Sequence, residues 1–294
     1  MVFTLPEEDF ALKDKIALHR TEMTPRQVLA ANFILESPRE AAFLTASQLG
    51  ERVGVSETTV LRLSKLLGFA GYHEMRSALA NQLMNHLSTL ERAKVYDGTP
   101  GKDIFERALQ KDYDALTSAR SNLPSEELRA LGRALAEARA VYLAGYRSSY
   151  ALVYYLSFYL SWILPNVKTL SLHMPFEMLA NAPENSLALG ISFPRYSTWT
   201  VQVLSQAKDL GLTTAAVTSD LTSPLADRAD LVLSVPYKPI SFIDSFAAPM
   251  SLLNCLILST AEHLGEKKTE ILERLEEQWK KEGIYTASRG RNGK

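Results

Sequence analysis

The chain has a single cysteine, Cys255, set in an apolar run. One cysteine closes no internal disulfide and supplies no cysteine-rich zinc site, which fits a reducing compartment. Neither charge is in excess, with 32 basic side chains against 33 acidic ones and a formal net charge of −1. Bulk charge therefore gives no reason to expect a nucleic-acid partner, which would need a local motif. The first residues have neither the basic start nor the apolar core of a secretory signal. Long apolar runs are missing as well. The strongest candidate, 150–164, is interrupted by Ser157 and Ser161 and closed by Pro165, while a membrane-spanning helix needs about 20 apolar residues. We expect a buried helix there, at a subunit contact, with no membrane partner and a cytoplasmic location. His19, His86 and His263 are scattered without metal-ligand spacing. There is no P-loop and no nucleophile elbow. GYRSSY (145–150) lacks the second and third glycines of a dinucleotide fingerprint. No metal, no cofactor and no catalytic residue is expected.

What is present is the composition of an ordinary globular protein, 46% apolar and 22% charged, over 294 residues. That length suits two domains. The chain breaks near 95–102, where Gly98, Pro100 and Gly101 stand beside Asp97 and Thr99, residues that favour turns. Residues 1–96 read as a helical domain, 97–102 as a linker, 103–265 as a second domain and 266–294 as a C-terminal helix and tail. Before the break the pattern is helical throughout. Thr24-Pro25 opens one helix, and others follow from Thr45, Ser56 and Tyr72. After two more helical stretches (103–123 and 125–138) the pattern changes. Five short apolar runs appear at 140–146, 167–172, 186–193, 213–219 and 230–236. Helices starting near Ser148, Pro175, Ser197 and Ser223 separate them, and a long helix over 242–263 follows. This alternation predicts an α/β domain, a doubly wound parallel sheet of about five strands.

Residues 45–67 carry the local motif. Thr45 caps a first helix whose Ala46, Leu49 and Val53 share a face. Gly54 makes the turn, and Ser56 caps a second helix with Val60, Leu63 and Leu67 as its buried stripe and Gly68 as its terminator. Two short helices joined through a glycine match a helix-turn-helix. The second helix presents Ser56, Glu57, Thr58, Thr59, Arg62 and Lys65, and its N-terminal end is where such motifs read the major groove. Thr45 and Gln48 on the first helix join them as DNA-contact candidates. So do Tyr72 and His73, at the start of the next helix, as phosphate contacts. The same shape occurs in helical domains that bind no DNA. Residues 1–96 hold eleven basic and eleven acidic side chains, so a single copy would bind weakly and a dimer reading two half-sites is expected.

In the second domain, ligands of doubly wound sheets sit beyond the carboxyl ends of the strands. Three of these ends carry hydroxyls: Ser148 and Ser149; Ser192, Tyr196, Ser197 and Thr198; Thr218, Ser219 and Ser223. Each hydroxyl alone reads as a helix cap, but together they read as an anion pocket. His173 and Glu177 are candidates, by position alone, for the base of an isomerase. With no partner visible for either, the pattern favours a loop histidine and an exposed helix glutamate.

The stretch 44–76, with Val55-Ser56-x-x-Thr59-Val60-x-Arg62-Leu63 and Gly68-Phe69-x-Gly71-Tyr72, resembles the RpiR-type family of bacterial regulators. The resemblance extends over roughly 9–263. It implies an N-terminal DNA-binding domain joined to a C-terminal sugar isomerase (SIS) domain that senses phosphosugars. It also implies loops of the kind Gly-x-Gly-x-Ser, Ser-x-Ser-Gly-x-Thr/Ser and Thr-Ser…Ser-Pro-Leu-Ala…Ala-Asp. Gly145, Ser149, Ser192, Ser197, Thr218, Ser219, 223–226, Ala229 and Asp230 fit that pattern. Arg147 replaces a glycine of the first loop, and Pro194-Arg195 replace Ser-Gly of the second. We expect Arg147 and Arg195 to clamp an anionic ligand. Alternatively they fill the pocket and pair with Asp220 or Asp244. Ser245 is a further, weaker ligand candidate.

The expected function is a transcriptional regulator, a homodimer or homotetramer, whose partners are operator DNA and a small anionic, phosphosugar-like ligand. The apolar helices 150–164 and 242–260 are its expected subunit contacts. The alternatives are a phosphosugar isomerase with a helical appendage, and a non-sensing protein whose second domain only dimerises.

Overall fold

A computed structural model describes residues 11–83, 87–97, 103–237 and 239–286. The expected linker glycines Gly98 and Gly101, His86 and the tail beyond 286 lie outside the described residues. The chain forms two compact units, 1–103 with 239–243, and 104–238 with 244–294.

The first unit is helical: α1 Ala11–Leu18, α2 Pro25–Glu36, α3 Pro38–Ala41, α4 Ala46–Val53, α5 Glu57–Leu66, α6 Tyr72–Leu83 and α7 Thr89–Asp97. Thr24 and Gln27 form a reciprocal capping box at α2, with Pro25 in its first turn. One core gathers a stripe from most helices, including Ile16, Ile34, Leu49, Leu63, Met75 and Leu79. Each buried side chain of this size contributes about 1.5–3 kcal/mol.

The second unit opens with α8 Ile104–Ser121 and α9 Ser125–Glu137. It continues β1 Val141–Ala144, α10 Tyr150–Ile163, β2 Val167–Thr169, α11 Pro175–Ala180, β3 Leu187–Ile191, α12 Thr198–Asp209, β4 Thr213–Thr218 and β5 Leu231–Ser234, and closes with α13 Ala247–His263 and α14 Lys267–Glu282. All neighbouring strands are parallel, in the order β2-β1-β3-β4-β5. The inner strands are buried on both faces. Val141 and Leu143 of β1 join one core with α9, α10 and α13. Tyr142 and Ala144 join the other with α11 and α12. That two-sided burial explains the nearly continuous apolar runs.

Two expectations need correction. No α-helix starts near Ser223; β4 and β5 are connected with only a 3-10 turn, Ala226–Arg228. Asp220 accepts from the Thr222 amide and Ser223 Oγ from the Ala226 amide, and such local bonds compete with a helix. The last apolar helix begins at Ala247 rather than 242. Ser245 Oγ accepts from the Ala247 amide and donates to Asp112. Pro249 then falls in the first turn, where its missing amide costs nothing.

Candidate functional site

The helix-turn-helix of the first unit is built from its caps. Thr45 Oγ1 accepts from the Gln48 amide at 3.2 Å while Gln48 Oε1 accepts from the Thr45 amide at 2.9 Å. Gly54 ends α4 with φ +73°, a conformation suited to glycine. Ser56 Oγ accepts from the Thr59 amide at 3.3 Å and opens α5. A Cβ on Gly50 would stand 2.7 Å from the Val55 carbonyl oxygen, so the two helices pack as closely as they do because residue 50 has no side chain.

Val60 and Leu63 are buried, while Glu57, Thr58, Arg62 and Lys65 face solvent. Neither Arg62 nor Lys65 makes an ion pair among the described residues, whereas Arg52 is held by Glu40 and Arg39 by Glu91. Leu61, 38% exposed, lies on the same face as Thr58 and Lys65. Its exposure is decided only once the helix packs, so no local signal marks it. Thr45, Gln48, Ser56 and His73 are also exposed, and Thr59 is half-buried. Tyr72 is a correction. Its ring is buried and its hydroxyl donates to the Leu44 carbonyl at 3.0 Å. The same burial pushes its pKa up to about 12. It fastens α6 to the motif and is not available to a phosphate.

The second site lies at the carboxyl ends of the strands. With the order 2-1-3-4-5 the winding reverses between β1 and β3, and ligands of such sheets bind outside that switch point. The loops leaving these two strands, 145–149 and 192–197, flank it. The first of them starts hard against the end of β3 and α10, since a Cβ on Gly145 would meet the Ile191 carbonyl oxygen at 2.9 Å and Val153 Cγ2 at 2.6 Å.

The hydroxyls sort into engaged and unengaged ones. Ser192 Oγ accepts from the Ser197 amide at 3.2 Å. Ser219 Oγ donates to Asp220 at 2.6 Å, so the 2.8 Å contact with Tyr196 has the phenol as donor. Burial raises the Tyr196 pKa, with the Ser219 bond opposing. Ser148 Oγ donates to Asp244 at 2.6 Å, and Tyr237 Oη donates to the other oxygen of Asp244. Ser149 is buried beneath the first loop, and Ser197 and Thr198 stand at the start of α12 without a side-chain cap bond.

Four buried hydroxyls have no partner of hydrogen-bonding geometry among the described residues: Tyr142 Oη within β1, Tyr146 Oη after β1, Thr218 Oγ1 at the end of β4, and Thr200 Oγ1 in the first turn of α12. The last three belong to segments at the carboxyl ends of the strands; Tyr142 does not. Burying an unpaired hydroxyl costs about 1–3 kcal/mol, and a polar ligand relieves that cost. Sequence reasoning misses Tyr146 and Thr200, because nothing local marks a hydroxyl that will be buried unpaired.

Arg147 and Arg195 both adopt left-handed backbone, φ +58° and +69°. For a residue with a side chain this costs about 1–2 kcal/mol. The chain thus keeps the conformation of the two expected glycines while placing a cation at each. Both arginines are exposed. The oxygens of Asp220 receive Ser219 and Thr222. Ser223 is buried and caps the following turn. Ser245 is engaged by Asp112. His173 and Glu177 are both exposed.

A helix-turn-helix head followed by a doubly wound sheet of order 2-1-3-4-5 defines the class, a DNA-binding head coupled to a sugar-isomerase-type domain. Residues 10–86 match the helix-turn-helix domain of the rpiR family, and residues 134–259 match the SIS domain. The chain belongs to the RpiR-type transcriptional regulators. An uncharacterized HTH-type transcriptional regulator of Caldanaerobacter subterraneus is 25% identical over 251 residues, which cover 82% of this chain and 87% of that one. YbbH of Bacillus subtilis, likewise an uncharacterized HTH-type transcriptional regulator, is 22% identical over 86% of this chain and 91% of its own. Among solved structures, the Vibrio vulnificus NanR protein complexed with ManNAc-6P superposes with a TM-score of 0.57 at 19% identity, covering 94% of this chain and all of that one. The sugar isomerase domain of an RpiR transcription factor from Sphaerobacter thermophilus reaches 0.57 at 23% identity, over 60% of this chain and 99% of that one. These two likenesses speak for the fold.

Proposed function

We propose that the chain regulates transcription as a homodimer or homotetramer in the cytoplasm, reading operator DNA with α5 and sensing a phosphosugar at the switch point of its sheet. Residues 1–96 serve as the DNA-binding domain, 97–102 as the linker and 103–265 as the sensor. Glu57, Thr58, Arg62 and Lys65 face the major groove, with Ser56 and Thr59 holding the N-terminal end of α5, and Thr45, Gln48 and His73 lie toward the phosphates. The ligand's phosphate takes hydroxyl donors from the loops after β1, β3 and β4, with Ser149, Ser192, Ser197, Thr198 and Thr218 foremost. Ligand binds one arrangement of the protein better than another, and the population shift changes operator affinity.

The observation that carries this reading is the conjunction of two sites in one chain: an exposed, unpaired basic face on a capped recognition helix, and buried unpaired hydroxyls at the sheet's switch point. The ManNAc-6P held by the Vibrio vulnificus NanR protein supports the ligand class, and the relatives' names support a regulator rather than an enzyme.

The test is selection of genomic fragments by purified protein at near-physiological salt, with wild type and Arg62→Ala side by side. Recovery of a few fragments by wild type and not by the variant is expected. Recovery unchanged in the variant would demote the motif to scaffold and move attention to turnover of sugar phosphates, with Glu177→Gln and His173→Ala as the first variants.

A further inference from the structure

We propose that the ligand of the second unit is held as a closed sugar ring, with its apolar C–H face against the indole of Trp199. The inference rests on the phosphosugar reading above and adds the form of the sugar.

Trp199 stands in the first turn of α12, directly after Ser197 and Thr198, two of the hydroxyls proposed for the phosphate. That turn lies over β3, since a Cβ on Gly190 would meet Thr200 Cγ2 at 3.4 Å. Ala144 of β1, Gly190 of β3 and Ala216 of β4 form one row across the sheet. Ala144 and Ala216 share a core with Val203 and Leu204 of α12, so this is the face that α12 covers. Side chains alternate along a strand, and the next residues on this face toward the carboxyl ends are Tyr146, Ser192 and Thr218. Tyr146, Thr218 and Thr200 carry buried hydroxyls without a partner of hydrogen-bonding geometry among the described residues. The first turn of α12 therefore meets a polar row at the end of the sheet. On its other side it meets α11, which connects β2 with β3 and shares a core with β1 through Leu179. The seam between α11 and α12 overlies β1 and β3, the strands of the switch point. Phe176, in the first turn of α11, and Trp199 meet across that seam, their ring centroids 6.1 Å apart and their planes 27° from parallel.

Phe176 is half-buried and backs the indole, yet Trp199 remains 43% exposed. A helical side chain leans toward the N-terminus of its helix, which for α12 is the carboxyl end of the sheet. Leu172 and Met174, in the loop from β2 to α11 at the same end, are exposed as well. The hydroxyls and backbone amides of the loops satisfy a phosphate and the hydroxyls of a sugar, but they offer nothing to its C–H groups. A pyranose has a flat C–H face, and laying it on an indole removes both apolar surfaces from water. An open chain has the same hydroxyls and no flat face, and it loses several free torsions on binding. The phosphate-binding hydroxyls in the same turn favour the ligand itself as the occupant of this surface.

The experiment is calorimetric titration of the full-length protein with matched pairs of equal charge. Each pair is a 1,5-anhydrohexitol 6-phosphate, locked as a ring, and the hexitol 6-phosphate, an open chain. The gluco, manno and galacto series are used, each with a 2-hydroxyl or a 2-acetamido group. Stacking on the indole predicts that, in at least one series, the ring binds about tenfold or more tighter than the chain. In Trp199→Ala that ratio falls to within about threefold, while Trp199→Phe keeps most of it. The ring phosphate also changes the tryptophan emission of wild type, and Trp199→Phe, which retains Trp162 and Trp279, loses that change. Should Trp199→Ala melt early, the emission of wild type against Trp199→Phe decides alone. Equal binding of ring and chain by wild type, tighter binding of the chain, a ratio that survives in Trp199→Ala, or an emission change that survives in Trp199→Phe overturns the proposal and leaves the phosphosugar reading standing. A smaller mass of Trp199→Ala in light scattering assigns the indole to a subunit contact and overturns the proposal as well. Binding of no phosphate in any series overturns both.

Discussion

Single residues show where contact distances decide. Gly145 has Val153 Cγ2 and the Ile191 carbonyl oxygen within 2.6–2.9 Å of where a Cβ would stand. Gly145→Ala is expected to destabilise the protein by about 1–3 kcal/mol in urea denaturation, because the Ile191 backbone cannot move without disturbing β3. A neutral result would show that the β1 and β3 loops yield to a methyl group. Arg62→Ala touches no buried contact, so it should leave the denaturation midpoint unchanged while removing selective operator binding. Tyr72 and Tyr146 are both pushed up to about 12 by burial, from an ordinary 10.0. A phenol harder to ionise folded than unfolded contributes stability that is whole below about pH 10 and is lost as pH rises through about 12. Ultraviolet titration should therefore show Tyr72 and Tyr146 ionising late among the 12 tyrosines, with Tyr196 also raised, together with alkaline unfolding. Substituting Tyr72 and Tyr146 with phenylalanine should shrink that late step.

At the scale of elements, caps explain why the helix-turn-helix was legible and the β4–β5 connection was not. Thr45, Gly54 and Ser56 act within a few residues of themselves, so their meaning survives without tertiary context. Ser223-Pro224 looks like a helix start as well, yet Asp220 and Ser223 take the nearby amides and a 3-10 turn results. Asp230 ties the starts of β4 and β5 together, accepting from the Thr214 amide at 2.9 Å and its hydroxyl at 2.8 Å, with Lys208 at 3.3 Å. Burial alone would raise its pKa, but the Thr214 bonds and then Lys208 outweigh burial and lower it. A depressed carboxyl contributes stability that is present above its unfolded value and lost as pH falls through its folded one. Asp230→Asn should flatten that acid limb of stability, measured as denaturation midpoint against pH, and cost about 1 kcal/mol at neutral pH.

For the whole molecule, the apolar surface left on the second unit bears on assembly. In α10, Tyr154 and Phe158 are 61% and 45% exposed, and Leu258 of α13 is 66% exposed. These helices carry more apolar surface than one sheet face covers, and no helix among the described residues is long and apolar enough to cross a membrane. If they form the subunit contact, Tyr154→Asp with Phe158→Asp should reduce the mass seen by light scattering. Operator affinity should fall with it, since a head without net charge depends on a second copy. An unchanged mass would place the contact elsewhere.

The sequence by itself determined most of the helices and all five strands, the expected helix near Ser223 and the start of the last apolar helix excepted, and that the strands are parallel and covered twice. It also carried the family resemblance and the hydroxyl and arginine positions at the strand ends. Those properties depend on local caps and on the period of apolar residues. Only the tertiary structure decided that β1 lies between β2 and β3, so that the loops of Arg147 and Arg195 flank one switch point. It also decided that both arginines take up a glycine's backbone, that Tyr72 is spent on the Leu44 carbonyl, and that Tyr146, Thr200 and Thr218 are buried unpaired. Each of these depends on what a residue meets from a segment distant in the chain. Neither propensity nor periodicity encodes those encounters, which exist only once the strands are ordered and the loops are brought against one another.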